Sequence, residues 1–321
     1  NMADEYFDFD HEYNFRDRDV LLLGAGVEEM SENFEEFWNS QYAIPVEDIL
    51  ADELADIAPG DVAARTRQLH EYAADPKNFA PHILQAIADI PSDFPYLLRA
   101  MSWEYAEFIS DVPGKNPGES GLGGGGESTT RLIEAIRRAK RSILIQSPYL
   151  VMPEGGIDLF EQLVRKGVRI RISTNSLAST DNIQAFSGYH GQRDDLLEAG
   201  VELFEFKPHP AFKNELIERY PALADKNPIF ALHAKSMVID DRTVYIGTFN
   251  LDPRSANLNT EVGILVDSED LARQLTDAIE RDIRPGNSWQ TVDGYDPDSH
   301  VSRGKRLRMW FNKLLPLEPV L

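Results

Sequence analysis

The sequence predicts an α/β protein in which a β-sheet with parallel strands is flanked by helices. At 321 residues the chain is long enough for two domains, each with its own core. In the second half, short apolar runs alternate with amphipathic segments of helical period, a pattern typical of strands joined by helices on the faces of a sheet. A glycine-rich run, 116–126, separates the halves and is interpreted as a linker; it lacks the Gly-Lys-[Ser/Thr] end of a phosphate-binding P-loop.

The first half, residues 1–115, is acidic and predicted to be largely helical. The apolar run 19–24 ends in glycine and is too short for a helix, which indicates a buried strand. Over 27–38 the apolar residues recur at three- and four-residue spacing, which predicts a helix with those residues in the core. Prolines divide 47–100 into what we expect to be several short helices covering a sheet, and 103–109 is a further candidate strand.

The second half is predicted to alternate regularly between helices and strands. The connection 240–242 is short enough for a hairpin. Helices are predicted over 129–140, 156–166, 193–199 and 268–283, and strands over 142–146, 168–173, 201–206, 234–239, 243–246 and 261–266.

Composition restricts the possible partners. The net charge is −22, from 54 acidic and 32 basic residues, so the chain repels polyanions and nucleic acid is an unfavourable substrate. With no cysteine, the chain has neither disulfides nor thiol chemistry. No apolar run is long enough to cross a bilayer, and the first residues have neither the basic nor the apolar part of a signal peptide.

The residues with the clearest chemistry are His233 and Lys235. They lie two apart on a predicted strand and therefore project from the same face. A neutral imidazole can attack phosphorus or protonate a leaving alkoxide, and an ammonium can hold phosphoryl oxygens. The pair predicts cleavage of a phosphodiester without a divalent cation or other cofactor.

Further polar residues follow the pair. Gly247 allows the backbone to approach a ligand, and Thr248 and Asn250 add a hydroxyl and an amide donor for phosphate. Glu261, in the next strand, could accept the Nδ1 proton of His233. Asp240 completes the ordered set, although alone an aspartate in a turn is expected from turn chemistry.

The pattern H-x-K, four residues, D, six residues, G-T-x-N resembles the catalytic motif of the phospholipase D superfamily. Thr248 stands where serine is common in that motif. Other segments resemble the bacterial cardiolipin synthases, especially their type C group: Ser147-Pro148-Tyr149, Asn175-Ser176, Tyr189 with Arg193, Asn250–Ser255 and Asn259-Thr260-Glu261.

This resemblance implies two phospholipase D-like repeats, each a mixed β-sheet flanked by helices, related by a pseudo-dyad. Two motif histidines would face each other, yet H-x-K occurs once in these 321 residues. We therefore expect a fragment: 1–115 as the end of a truncated first repeat, 116–126 as a linker and 127–321 as the second repeat. Asn1 would then close the first motif and help bind phosphate. Asp17 would orient the missing histidine, unless it belongs to a surface charge cluster with its neighbours.

The implied function is phosphatidyl transfer between phospholipids, such as phosphatidylglycerol, through a phosphohistidine. Hydrolysis of a phospholipid or nucleic acid and an inactive binding module are the alternatives, and this chain alone is expected to be inactive. The implied location is peripheral to, or anchored at, the bacterial cytoplasmic membrane. The basic and aromatic segment 303–315 has the composition of a lipid-facing helix, or of a helix that packs its aromatic side on the domain.

Overall fold

The structure is a computed structural model that describes residues 3–50, 58–116 and 124–313. Its strands, in chain order, are β1 Tyr13–Arg16, β2 Ala106–Ser110, β3 Ser142–Gln146, β4 Arg169–Asn175, β5 Glu202–Phe206, β6 Ile229–Leu232, β7 Lys235–Ile239, β8 Thr243–Gly247, β9 Val262–Asp267 and β10 Ser288–Thr291. Within these residues, eight strands form one mixed sheet in the order β10-β5-β4-β3-β7-β8-β9-β2. Strands β3, β4 and β5 are parallel, and the other neighbours are antiparallel. The predicted α/β class with a mixed sheet is confirmed.

The helices, in chain order, are α1 Gly26–Trp38, α2 Val46–Ile49, α3 Pro59–Ala74, α4 Pro81–Ala100, α5 Glu127–Arg137, α6 Gly156–Arg165, α7 Ile183–Glu198, α8 Lys213–Ile217, α9 Pro253–Asn257, α10 Glu269–Asp282 and α11 Arg303–Lys313. Short 3₁₀ segments lie at Asp4–Phe7, Pro221–Leu223 and Pro297–His300. Helix α7 starts ten residues before the predicted helix, because the Asn182 side chain caps it by accepting the Ala185 N–H.

The sheet is covered on both faces, and alternation along each strand decides which side chain meets which layer. In β3, Ile143 and Ile145 enter the larger apolar cluster, which includes residues of α5, α6 and α7. Leu144, between them, faces the opposite layer, where it packs with residues of α10. Successive side chains of a strand point to opposite faces, so one short apolar run supplies both layers.

The first half differs from the prediction. No strand forms at 19–24, and the apolar residues of α1 are exposed or half-buried instead of lying in a core. Helices α3 and α4 are longer than predicted, and α4 continues through Pro91 and Pro95. Among the described residues from 19 to 105, Ala80 alone is a buried hydrophobic residue. The periodicity is helical as predicted, but the only second sheet within the described residues is the two-stranded pairing of β1 with β6.

Two segments of the first half nevertheless join the second half. Strand β2 pairs with β9 at the edge of the large sheet, and β1 pairs in parallel with β6. Arg18 and Arg16 both reach the fully buried carboxylate of Asp282, at the end of α10. The proposed alternative for Asp17, a surface cluster with these arginines, is therefore wrong.

Most of the predicted linker, residues 117–123, lies outside the described residues. Just before the linker, the buried Lys115 ammonium donates to the carbonyls of Ser255 and Asn259, and within the linker the Gly125 N–H donates to the Asn257 side chain. The domain limits stay a prediction. Within the described residues, no helix combines the length and apolar character needed to cross a bilayer.

Candidate active site

His233 lies between β6 and β7, and two contacts fix its backbone. The His233 N–H donates to the carbonyl of Arg16 at 2.8 Å, which extends the pairing of β1 with β6. One residue earlier, the Asn175 side chain exchanges two hydrogen bonds of 2.8 Å with the backbone of Leu232. The Asn175-Ser176 motif therefore holds the peptide that precedes the histidine.

The carboxylate that contacts His233 is Asp17. Its Oδ2 lies 3.0 Å from His233 Nδ1. Burial alone would raise the pKa of Asp17, but the hydrogen bonds from His233 and from the Arg18 N–H hold it below its usual value. The prediction that Glu261 accepts this proton is wrong. Asp17, which was predicted to orient the missing first histidine, contacts His233 instead. The parallel pairing of β1 with β6 carries Asp17 to His233.

Lys235, the first residue of β7, is buried against the imidazole. Its Nζ lies 2.9 Å from each ring nitrogen of His233 and 2.6 Å from the His233 carbonyl. Burial lowers the pKa of Lys235 to about 8, although the carboxylates of Asp17, Glu261, Asp181 and Asp252 oppose the shift. The predicted pairing of the imidazole and the ammonium on one side of the strand is present.

Aromatic rings close the other side of the imidazole. The Phe15 and Tyr6 rings lie 4.9 and 5.1 Å from the His233 ring. The Tyr6 hydroxyl is 3.4 Å from Nε2. Nearby, the Tyr149 hydroxyl donates to Asp181 at 2.7 Å. Sequence reasoning did not find Tyr6, Phe15 or Asp181, because no spacing relates them to His233; Tyr149 was noted only as part of a motif.

The turn after β8 lies at the same end of the sheet as His233, because Gly247 pairs with Lys235. A Cβ at Gly247 would lie 2.4 Å from the Val262 carbonyl and 2.3 Å from the Tyr245 hydroxyl. This glycine is therefore required by the approach of β9, not by a ligand as predicted. Asn250 is buried, and its Oδ1 has no hydrogen-bond partner among the described residues. An orphaned buried acceptor of this kind is suited to a hydrogen-bond donor of a ligand.

Glu261 and Thr248 form a second cluster beside the first. The Thr248 hydroxyl donates to the Glu261 carboxylate and accepts the Val262 N–H. Burial raises the pKa of Glu261 despite this hydrogen bond. A cavity of about 630 Å³ lies against both residues. Glu261 also appears among the charges that act on Lys235, so the two clusters share one region.

The Ser147-Pro148-Tyr149 motif supports the Asn250 turn. The Ser147 hydroxyl donates to the Tyr149 carbonyl and accepts the Leu251 N–H at 3.0 Å. The Asn250 N–H in turn donates to the Ser255 hydroxyl. These contacts hold the turn from two sides and bring the segments around Ser147 and Asn250–Ser255 together in space.

Asp240 is at the opposite end of β7 and outside the site. A strand rises about 3.3 Å per residue, so Asp240 is about 16 Å from Lys235 along the strand. Its carboxylate accepts the backbone N–H groups of Lys140, Arg141 and Ser142. Burial would raise the pKa of Asp240, but these hydrogen bonds lower it. The predicted catalytic role is therefore wrong, whereas the predicted hairpin is present, with positive φ at Asp240 and Asp241.

We expect Asp240 to contribute to stability alone. Asp240→Asn should cost about 1 kcal/mol of unfolding free energy through weaker acceptance of three N–H groups. Asp240→Ala should cost about 2 kcal/mol or more, because alanine also resists the left-handed conformation. Urea titration measures both, and Asp241→Asn, at the exposed neighbour, is the control. Loss of catalysis with unchanged stability would contradict this assignment.

Asn1 lies outside the described residues, so its predicted place beside the phosphate stays a prediction. Across the ranges 3–50, 58–116 and 124–313, no three His, Asp or Glu side chains group closely enough to hold a metal ion.

The chain was compared with known protein families and sequences. Residues 132–283 match the family described as "Cardiolipin synthase, PLD-like domain". Residues 132–283 are thus similar to a phospholipase D-like domain. The match includes His233, Lys235 and Glu261 but not Asp17, and it confirms the resemblance inferred from the motifs.

Two relatives extend the similarity to most of the chain. Cardiolipin synthase C of Escherichia coli is 33% identical over 303 residues, which cover 90% of this chain and 59% of that protein. An uncharacterized protein of Helicobacter pylori is 28% identical over 294 residues, covering 91% of this chain and 55% of the relative. The chain thus spans somewhat more than half the length of these curated relatives.

Among solved structures, phosphatidylserine synthase from Haemophilus influenzae aligns over 67% of this chain and 48% of its own, with 16% identity and a TM-score of 0.46.

Proposed function

We propose that this chain supplies one half of a two-histidine site that transfers phosphatidyl groups between phospholipids, as in cardiolipin synthesis. The observation that carries the proposal is the sequence of contacts Asp17–His233–Lys235. A carboxylate on Nδ1 fixes the imidazole, leaving Nε2 toward the Tyr6 side, and the adjacent ammonium provides the charge that a phosphodiester requires. The second histidine would come from outside these 321 residues or from a second copy of the chain.

In the first step, one histidine attacks phosphorus and the other protonates the leaving alcohol. The P–N bond forms as the P–O bond to the headgroup alcohol breaks, and the proton moves from the acid imidazole to the alkoxide. The Lys235 ammonium and the side-chain NH₂ group of Asn250 would donate hydrogen bonds to the non-bridging oxygens. The same scheme holds with either histidine as the nucleophile and the other as the acid and base.

In the second step, the imidazole that acted as acid removes a proton from the acceptor alcohol. That oxygen attacks phosphorus, the P–N bond breaks and the free histidine is restored. With phosphatidylglycerol as donor and acceptor, the products are cardiolipin and glycerol. No step uses a metal ion. Water as acceptor would give phosphatidic acid.

In this proposal, the roles of the Asp17 and Glu261 carboxylates are the reverse of those predicted from the sequence. Asp17 orients His233, and Glu261 would orient the histidine of the other motif. The cavity of about 630 Å³ beside Glu261 and Thr248 supports this exchange, since it provides space for a further side chain next to the carboxylate. The raised pKa of Glu261, due mainly to burial, also favours a cationic or N–H partner.

Product analysis tests the proposed reaction. Radiolabelled phosphatidylglycerol is incubated with this chain alone and with the protein extended by the residues encoded before Asn1, and the lipids are separated by thin-layer chromatography. We expect cardiolipin and glycerol from the extended protein and little turnover by the chain alone. The upstream residues should contain a second H-x-K. Strong cardiolipin formation by the monomeric chain would contradict the requirement for two histidines. Phosphatidic acid as the main product would show that the reaction is hydrolysis and not phosphatidyl transfer.

Substitution of the two carboxylates tests their exchanged roles. Asp17→Asn should reduce turnover by about 10- to 100-fold, because it removes the anion that stabilises the His233 imidazolium. Glu261→Gln should cause a similar loss by acting on the other histidine. Trapping the covalent lipid intermediate separates them. The variant that acts on the nucleophile should slow mainly the formation of the intermediate, whereas the variant that acts on the acid and base should slow both its formation and its breakdown. If both variants change the two steps in the same proportion, the assignment to different histidines is wrong.

A further inference from the structure

Helix α11, Arg303–Lys313, differs in charge from the rest of the chain. It holds five of the 32 basic residues and none of the 54 acidic residues. Among residues 3–50, 58–116 and 124–313, no carboxylate forms a salt bridge with any of its cations, which are Arg303, Lys305, Arg306, Arg308 and Lys313. In a protein of net charge −22, this helix is therefore a positive surface that no carboxylate of the described residues neutralises by a salt bridge.

The helix also places its apolar residues on two opposite sides. Met309 is buried in the main core cluster. Leu307, Trp310 and Phe311 are 56%, 51% and 56% exposed. At 100° per residue, Leu307 lies about 160° from Met309, with Trp310 and Phe311 on either side of Leu307. The aromatic side thus faces outward, and the alternative that it packs on the domain is wrong.

The position of α11 relates it to the candidate active site. The helix packs on α7, and the Lys305 ammonium donates to the Ala178 carbonyl at 3.4 Å. One residue further, the Ser179 carbonyl accepts the Tyr13 hydroxyl, next to Phe15 of the His233 wall. Burial lowers the pKa of Lys305, and the Asp181 carboxylate, which also acts on Lys235, opposes that shift. One loop, 176–182, therefore contacts both the helix and the surroundings of the site.

We propose that α11 docks the protein on an anionic lipid surface, with Leu307, Trp310 and Phe311 at the boundary between headgroups and acyl chains. The exposed cations Arg303, Arg308 and Lys313 would contact headgroup phosphates beside this apolar strip. Large apolar side chains on one face, flanked by lysine and arginine, are what interfacial helices present to membranes. Anionic lipid is the occupant because the positive charge of the helix is complementary to it and the rest of the chain is acidic. The inference rests on the proposed function, since a phospholipid substrate brings the site to a bilayer.

Vesicle binding tests the proposal without requiring turnover. The chain is sedimented with vesicles of phosphatidylglycerol and phosphatidylcholine, or of phosphatidylcholine alone. We expect binding to the anionic vesicles that weakens at high salt and is at least about 10-fold weaker on neutral vesicles. Trp310→Ala with Phe311→Ala should reduce binding by about 10-fold or more. Arg303→Gln with Arg308→Gln should do the same on anionic vesicles only.

Matched variants on α1 and α3 control for nonspecific binding of exposed aromatic and basic residues to vesicles. Phe34→Ala with Trp38→Ala removes two aromatic residues that are 60% and 68% exposed on α1, and Arg65→Gln with Arg67→Gln removes two exposed cations of α3. These variants should bind vesicles like the unmodified chain. His233→Ala should also bind normally, so a failure of the proposed chemistry leaves this result intact. Equal binding to neutral vesicles, or unchanged binding by the α11 variants, would overturn the proposal. The proposal would also be overturned if the unmodified chain were a dimer that becomes monomeric only in the variant with Trp310→Ala and Phe311→Ala.

Discussion

His233→Ala should reduce phosphatidyl transfer by at least about 10³-fold, because no other described side chain offers an imidazole next to Lys235. Its Nε2 is the only ring nitrogen left for phosphorus or for the leaving oxygen, since Nδ1 is held by Asp17. The loss should appear in both kcat and kcat/KM, as expected for an interaction with the reacting atoms. The assay is cardiolipin formation by a preparation that supplies both motifs.

The control for His233 is His209→Ala, which removes an exposed imidazole that contacts Asn227 outside the site. This variant should retain full transfer. Rapid quenching with labelled lipid then assigns the role of His233. If His233→Ala still accumulates the covalent intermediate, but slowly, His233 is the acid and base. If His233→Ala accumulates no labelled intermediate, and the label in the unmodified protein maps to His233, then His233 is the nucleophile. Full turnover by His233→Ala would leave this half without a catalytic role.

The second half could be predicted from the sequence because its periodicity and its packing agree. In 142–146 each successive apolar residue meets a different covered face, so the run had to be a buried strand. In the first half the same reasoning failed. The spacing of Val27, Met30 and Phe34 correctly indicated a helix, but periodicity shows which face is apolar, not whether a second surface exists to cover it.

The site was predictable where two residues are neighbours on one strand. His233 and Lys235 are two apart, so strand geometry alone places them together. Their carboxylate partner was not predictable, because Asp17 is 216 positions away and reaches His233 through the pairing of β1 with β6. The predicted catalytic role of Asp240 was wrong for the opposite reason. Asp240 is near His233 in the sequence, but an extended strand carries it to the far end of the sheet.

Lys235→Met should abolish transfer and yet stabilise the fold. The Lys235 ammonium is buried, and its pKa is lowered to about 8 from a usual value of 10.5. A shift of this size corresponds to a penalty of up to about 3 kcal/mol for the charged form in the folded state. Methionine fills a similar volume without a charge, so we expect about 1–3 kcal/mol of added unfolding free energy at pH 7 and at least about a 10³-fold loss of transfer. The exposed lysine Lys77, changed to methionine, is the control and should alter neither.

The pH dependence identifies the charge of Lys235 as the cause of both effects. Below pH 8 the lysine is protonated in the folded and the unfolded chain, and the full penalty is present. Between about pH 8 and 10.5 the unfolded chain binds more protons, so the contribution of Lys235 to stability rises with pH. The stability advantage of Lys235→Met should therefore shrink over that interval, as measured by urea titration at each pH. Transfer should follow the opposite course: kcat/KM, which reports the free enzyme, should fall as pH rises through about 8, because a neutral amine no longer holds the phosphoryl oxygens. A constant advantage across this range would mean that Lys235→Met acts through packing instead of charge.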